Sequence, residues 1–209
     1  PLFVKPSREG TGMGISEASL VRDEGALRAQ VRWVIRTYRQ PALVESYLPG
    51  REFTVGLVGN RLAPGERPAS PFYDERGYHV FPVLEIDVSN LQNEGLLYTG
   101  YIKSKTPMAP RYLCPAPIPQ ALASQLQELA VSAFEAIGGL DVARVDLRLG
   151  AQGEPYLLEI NTLPGLNPTI SDIVLAAKAE QVAYETLILE ILGAALRRYG
   201  PAIAPRAGA

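Results

Sequence analysis

The chain has 209 residues, with 20 Lys and Arg against 22 Asp and Glu, and 47% of its residues are apolar. The near-neutral balance excludes the strongly basic footprint of a general nucleic-acid binder and the charge of a disordered acidic chain, and the apolar fraction suffices for a sizeable core. One cysteine (Cys114), one histidine (His79) and no run of about 18 apolar residues exclude a disulfide framework, a site with two histidine ligands and a membrane span.

Pro1-Leu2-Phe3-Val4-Lys5 is neither a signal peptide nor a start methionine. It reads as a strand entered mid-stream, so the chain is expected to be part of a longer, cytoplasmic protein. Three glycines follow within Gly10-Thr11-Gly12-Met13-Gly14, where backbone can approach a ligand closely. Ile15-Ser16 is expected to resume a strand. Asp23 is a candidate N-cap, and Leu27, Val31, Val34, Ile35 and Tyr38 repeat at helical spacing, with Trp33 read as core. Ala42 to Leu48 reads as a buried strand running into Pro49-Gly50. Phe53, Val55 and Leu57 then alternate with Glu52 and Thr54, and the two segments read as a hairpin.

Residues 63–78, rich in Pro, Gly and charge, are expected as a mobile loop, and Val80 to Val88 contains another strand. Residues 89–111 look irregular, with a basic cluster at Lys103, Lys105 and Arg111. From Pro119 a helix is expected, striped by Leu122, Leu126, Leu129, Ala133 and Ile137 and ended by Gly138-Gly139. Strands at Val142–Leu149 and Tyr156–Ile160 flank the turn 150–153. A Pro/Gly loop covers 162–169, and a helix from about residue 181 to Tyr199 carries Val182, Leu187, Leu189 and Leu192. This mixture predicts an α+β fold with antiparallel pairing.

The sharpest chemical pattern is Arg144-Val145-Asp146 on one strand and Glu159-Ile160-Asn161 on the next. Alternation puts Arg144 with Asp146 on one face, and Glu159 with Asn161 on one face. Paired across a tight turn, they form a cluster of hard oxygens suited to Mg²⁺ beside phosphates, with an arginine for a developing oxyanion. The plain alternative is a surface hairpin with alternating polar residues. Against it stand Val142, Val145, Leu147 and Leu158, since polar side chains in a buried strand must be paired or hold an ion. The 10–14 loop offers backbone N–H groups to phosphate oxygens, with Lys5 as an added charge, but carries no Gly-Lys-Ser/Thr and opens no helix. His79, Cys114 and the 103–111 cations read as packing or solvated charge.

In this order, Val4-Lys5-Pro6-Ser7-Arg8-Glu9-Gly10, Val44-Glu45 with Arg51-Glu52-Phe53-Thr54-Val55, Ala143-Arg144-Val145-Asp146 and Leu158-Glu159-Ile160-Asn161-Thr162-Leu163-Pro164-Gly165 resemble the D-alanine–D-alanine ligase family of ATP-grasp ligases. The resemblance implies an ATP-grasp fold of mostly antiparallel sheets with flanking helices in two lobes. Residues 1–59 would be part of the central lobe, with the lid loop and adenine hinge. Residues 60–200 would be the C-terminal lobe with the metal and substrate site, and 201–209 a disordered tail. The family's N-terminal domain would be absent, so the isolated chain is expected to be inactive.

The implied reaction activates a carboxylate with ATP to an acyl phosphate, which an amine attacks to give a peptide bond, as in peptidoglycan precursor synthesis. Lys5 would touch ATP phosphates, and Glu9, Gly10, Thr11 and Gly12 would close over them. Glu45, Ser46 and Leu48 would hold adenine, and Glu52 the ribose. Asp146, Glu159 and Asn161 would bind two Mg²⁺, or Mn²⁺. Arg144 would be catalytic, with Lys5 and Thr11 beside it. Gly165, Ser171 and either Lys103 or Lys105 would contact small amino-acid substrates. Neither nucleic acid nor membrane is an expected partner, and the full-length protein is a candidate homodimer. The departures are Gly12 in place of a second loop serine, a longer loop before Ser171, and a long, poorly matching 59–111 segment. They leave a ligase for another amino acid or peptide, or a non-catalytic nucleotide-binding module, as alternatives.

Overall fold

The computed structural model describes residues 1–10, 12–89 and 110–199. The chain divides into two compact units: Pro1–Pro49 with the described ends of the Asp87–Arg111 segment, and Gly50–Ile86 with the residues from Tyr112 onward.

Among the described residues, the first unit holds a three-stranded antiparallel sheet and a helix packed on it. β1 (Leu2–Pro6) lies between β2 (Leu20–Val21) and β3 (Ala42–Ser46). Asp23 caps α1 (Glu24–Tyr38) by accepting the Ala26 N–H at 2.8 Å, as its place before the helical repeat predicts. The helix buries Val34 against Val4 and Val21. Alternation puts Lys5 and Phe3 on the other face of β1, level with Leu43 and Glu45 of β3. The 15–16 strand is not formed. Ser16 instead caps a short 3₁₀ turn, Glu17–Ser19, whose Ser19 hydroxyl accepts from the Ser16 N–H at 3.1 Å.

Two burial expectations fail in this unit. Trp33 is 42% exposed and stands edge-on to Tyr38, because a sheet this narrow covers only one stripe of α1. In β3, Leu43 and Val44 are about as exposed, and among the described residues this strand pairs only with β1.

The second unit is a six-stranded sheet ordered β7-β6-β4-β8-β9, with β5 also on β4. Its strands are β4 (Glu52–Gly59), β5 (Tyr78–Val80), β6 (Leu84–Asp87), β7 (Arg111–Leu113), β8 (Val142–Leu149) and β9 (Pro155–Asn161). The 42–58 segment is therefore not a hairpin: β3 pairs with β1, and β4 pairs with β5, β6 and β8. β4, grouped with residues 1–59 by the sequence reading, is laid into the second unit along its length on β8.

Phe53, Val55, Leu57, Ala143, Val145 and Leu147 face α2 (Gln120–Ala136), which buries Leu126, Ala130 and Phe134 among them. Ile137 is 55% exposed, since the helix ends before that position can turn inward. The opposite sheet face is apolar at its Val58–Val142 end, where α3 (Asp172–Ala179) and α4 (Tyr184–Tyr199) bring Ile173, Val174, Ala177 and Leu187. The expected last helix is α4, starting three residues later than the sequence suggests, and α3 before it is a helix the sequence reading does not include. Within α4, Leu187 is buried but Leu189 and Leu192 are exposed, because the helix lays only one stripe inward. Tyr73 pins the 63–78 loop: it is buried, its hydroxyl donates to Glu190 at 2.6 Å and Arg197 donates to it at 2.6 Å. Among the described residues no helix is long and apolar enough to cross a membrane. The tail at 201–209 lies outside the described residues.

Candidate active site

Beyond Val58 and Val142 the same sheet face turns polar. The register sets Thr54 against Asp146, Gly56 against Arg144, Arg144 against Asn161 and Asp146 against Glu159. The four residues singled out on β8 and β9 therefore meet, because antiparallel pairing across the turn at Gly150–Gly153 aligns two strands of matching alternation. One extra residue, Leu158, interrupts the ladder between the Asp146–Glu159 and Leu147–Leu157 pairs. This β-bulge re-aims the strand immediately before Glu159. Leu158 is 36% exposed, so the β9 half of the expected apolar surround is open rather than buried.

Asp146 is the hub. It accepts from Arg144 Nε at 2.8 Å and Nη2 at 2.7 Å, from Thr54 Oγ1 at 2.7 Å and from Asn161 Nδ2 at 3.0 Å. The Asn161 amide also donates to Glu159 Oε1 at 3.1 Å. Arg144 reaches Asp172 Oδ2 at 3.2 Å and Glu159 Oε1 at 4.0 Å. Burial works against its charge, but Asp146, Asp172 and Glu159 more than offset that, so the guanidinium is held above its ordinary value.

Thr54 and Asp172 join the site without having been singled out. Thr54 is legible as the β4 position that shares a face with Glu52. Asp172 has only a helix-start signal, Ser171-Asp172 before an apolar run. Gly56 makes room for that helix: a Cβ there would lie 2.7 Å from Ile173 Cγ1.

The donor set suits a hard divalent cation in its chemistry. The Asp146 and Glu159 carboxylates both point at the Asn161 amide, and a half-turn of that amide would present its oxygen to the same spot. No group of three or more His, Cys, Asp or Glu side chains able to hold a metal occurs among the described residues.

The other expected residues fall in both units. In the first unit Lys5 Nζ pairs with Glu45 Oε2 at 2.6 Å, joining the phosphate and adenine candidates on one sheet face. Gln40 donates to Glu9 Oε1 at 2.7 Å and accepts the Arg8 N–H at 2.6 Å, tying the glycine-rich loop to the end of α1. Gly12 and Gly14 take positive φ, 74° and 79°, and Gly14 packs on Pro6 so closely that a side chain would collide. Ser46 ends β3, and Leu48 follows it. Thr11, Lys103 and Lys105 lie outside the described residues. In the second unit Glu52 pairs with Arg148 at 3.2 Å. Ser171 precedes α3, accepts the Asn167 N–H at 2.8 Å, and its Oγ faces Gly165 closely. Arg111 pairs with Asp87. Burial pushes the Cys114 thiol up to about 11, against any nucleophilic role near neutral pH.

The family model described as D-ala D-ala ligase C-terminus matches residues 1–193. The Sinorhizobium fredii protein y4sG is 37% identical over 199 residues, covering 95% of this chain and 53% of that protein. A D-alanine–D-alanine ligase of Syntrophotalea carbinolica is 36% identical over 201 residues, covering 95% and 55%. Among solved structures, the Bacillus anthracis D-alanine–D-alanine ligase complexed with ATP shares the fold with a TM-score of 0.66 at 20% identity, covering 95% of this chain and 53% of that one. The chain spans about half the length of the relatives it matches.

Proposed function

Because the chain belongs to the D-alanine–D-alanine ligase C-terminus family, we propose that it carries the metal-binding and oxyanion-stabilising part of an ATP-dependent carboxylate–amine ligase. The observation that supports this most is the convergence of Arg144, Asp146, Glu159 and Asn161 on two paired strands. The reaction proposed is phosphorylation of a substrate carboxylate by ATP, then attack of an amine on the acyl phosphate with loss of phosphate. The names of its relatives favour D-alanine for both substrates and a role in peptidoglycan precursor synthesis. The cytoplasm, which supplies ATP, is the compartment this reading requires.

Asp146, Glu159 and Asn161 would hold Mg²⁺. When bound, the cation would neutralise and orient the β- and γ-phosphate oxygens. Arg144, anchored through Nε and Nη2 on Asp146, offers its remaining N–H groups to the oxyanion that forms as the amine adds. Thr54 fixes the Asp146 carboxylate from the neighbouring strand. Lys5, Glu9, Gly10, Thr11, Gly12, Glu45, Ser46, Leu48 and Glu52 are the proposed nucleotide contacts. Gly165, Ser171 and Lys103 or Lys105 are the proposed substrate contacts.

Calorimetric titration with a non-hydrolysable ATP analogue, with and without Mg²⁺, tests the reading. Magnesium-dependent binding is expected, and Glu159→Gln should abolish the magnesium dependence. Magnesium-dependent binding that persists unchanged in Glu159→Gln would remove Glu159 from the metal set. In the natural full-length polypeptide, ADP release should depend on an added amino acid.

A further inference from the structure

Arg144 is held from two sides by carboxylates of different origin. Asp146, on its own strand, takes Nε and Nη2. Asp172, on the first turn of α3, reaches Nη1 at 3.2 Å. Both carboxylates are well covered, with side-chain exposures of 13% and 12%. A guanidinium has five N–H groups, so the two bonded to Asp146 leave three for another ligand, with Asp172 as an ion-pair partner beside Nη1. We propose that Asp172 is a positioning residue: it locks the Arg144 guanidinium as a preset fork and tempers its charge.

Two parts of the fold serve this arrangement. Gly56, directly opposite Arg144 in the register, has no side chain, and Ile173 packs into the space it leaves. That contact brings the first turn of α3 down onto the sheet beside Arg144. The bland reading is an acidic residue placed in a helix's first turn for the helix dipole. It accounts for the residue type but not for a covered carboxylate seated on a covered arginine.

The functional consequence rests on the ligase reading above. An unpaired, desolvated arginine grips any anion, including a ground-state carboxylate or released phosphate. An arginine already flanked by two carboxylates attracts such anions less and keeps its geometry for an oxyanion formed only during reaction. Interactions made only in the transition state raise turnover, whereas tight ground-state binding does not. Removing the Asp172 charge should therefore lower kcat and also lower KM for the carboxylate substrate, with stronger inhibition by inorganic phosphate. Simple loosening of the helix would raise KM instead.

The test has two independent readouts. The first is the NMR signal of the Arg144 guanidinium, assigned by its loss in Arg144→Lys. In the native protein, hindered rotation should give separate Nη resonances. Asp172→Asn should merge them, and Asp172→Glu should restore them in part. Asp172→Ser is run in parallel, since serine also suits a helix's first turn and guards against a variant that fails to fold. Unchanged Arg144 resonances in folded Asp172→Asn or Asp172→Ser would overturn the proposal. The second readout is kinetic, on the natural full-length polypeptide. Asp172→Asn should reduce kcat by about 10- to 100-fold, as loss of a supporting partner usually does, with KM falling. A KM that rises, or an unchanged kcat, would also overturn it. If no amine elicits ADP release from the native enzyme, the ligase reading fails, and the guanidinium signal still decides the role of Asp172.

Discussion

At the scale of single residues, the site divides by how each side chain arrives. Arg144, Asp146, Glu159 and Asn161 are legible in the sequence because a strand's two-residue period and a short turn fix which side chains meet. Asp172 is not, because it comes from a helix beyond a Pro/Gly loop, and no local period reports where that helix lands. Asp141 shows a similar long-range tie away from the site. It sits at positive φ and accepts from Asn60 Nδ2 at 2.9 Å and from Arg198 Nη2 at 2.6 Å. Burial would raise its pKa, but Arg198 and Asn60 prevail and hold it below the ordinary carboxylate value. A carboxyl depressed in the folded state stabilises the fold above its unfolded pKa, and that stability is lost as pH falls through the folded value. Asp141→Asn is therefore expected to flatten the acid side of the stability–pH curve, measured by urea unfolding from pH 6 downward. A wild-type slope retained in the variant would contradict the assignment.

At the scale of elements, long periodic segments and short turns are the readable ones. α1 and α2, β8, β9 and the turn between them fall close to their expected limits. Orientation is harder to read than existence. Trp33, Ile137, Leu189 and Leu192 are apolar at helical spacing yet exposed, because the face a helix buries depends on how much neighbour it has. α3 escapes notice because eight residues give barely two turns of period, although Ser171-Asp172 is a helix-start signal. Pro49-Gly50 looks like a hairpin turn, but the strands on either side pair elsewhere. The packing of α3 on β4 is open to a direct check. Gly56→Ala places a methyl against Ile173 and should destabilise by about 1–3 kcal/mol through overpacking. Ile173→Ala should itself cost about 2–5 kcal/mol by opening a cavity. In a double-mutant cycle followed by chemical denaturation, the pair should cost less than the two singles together, since the small residue at 173 relieves the methyl at 56. Strict additivity would show that the two side chains do not compete for space.

At the scale of the whole molecule, the two units differ in how much core each owns. Among the described residues, the first has Val4, Val21 and Val34 as a buried hydrophobic cluster, whereas the second has two clusters spanning both faces of a six-stranded sheet. A small sheet with a small buried core is marginal on its own. Trp33, the chain's one tryptophan, belongs to the smaller unit. Its fluorescence is expected to report a urea transition at lower concentration than the far-ultraviolet circular dichroism, which is dominated by the larger unit. Coincident curves would mean that the units unfold together. The bulge at Leu158 has a different consequence, one for heredity. β9 holds one residue more than its pairing with β8 requires, and that surplus lies between the turn and the site. Loss of any single residue from 155–158 could be absorbed by closing the bulge, leaving Glu159 and Asn161 opposite Asp146 and Arg144. Loss of Leu157 or Leu158 would leave the other leucine to face Leu147. The hairpin thus carries one residue of slack, and natural variation in its length can be tolerated on the turn side without changing what its far end presents.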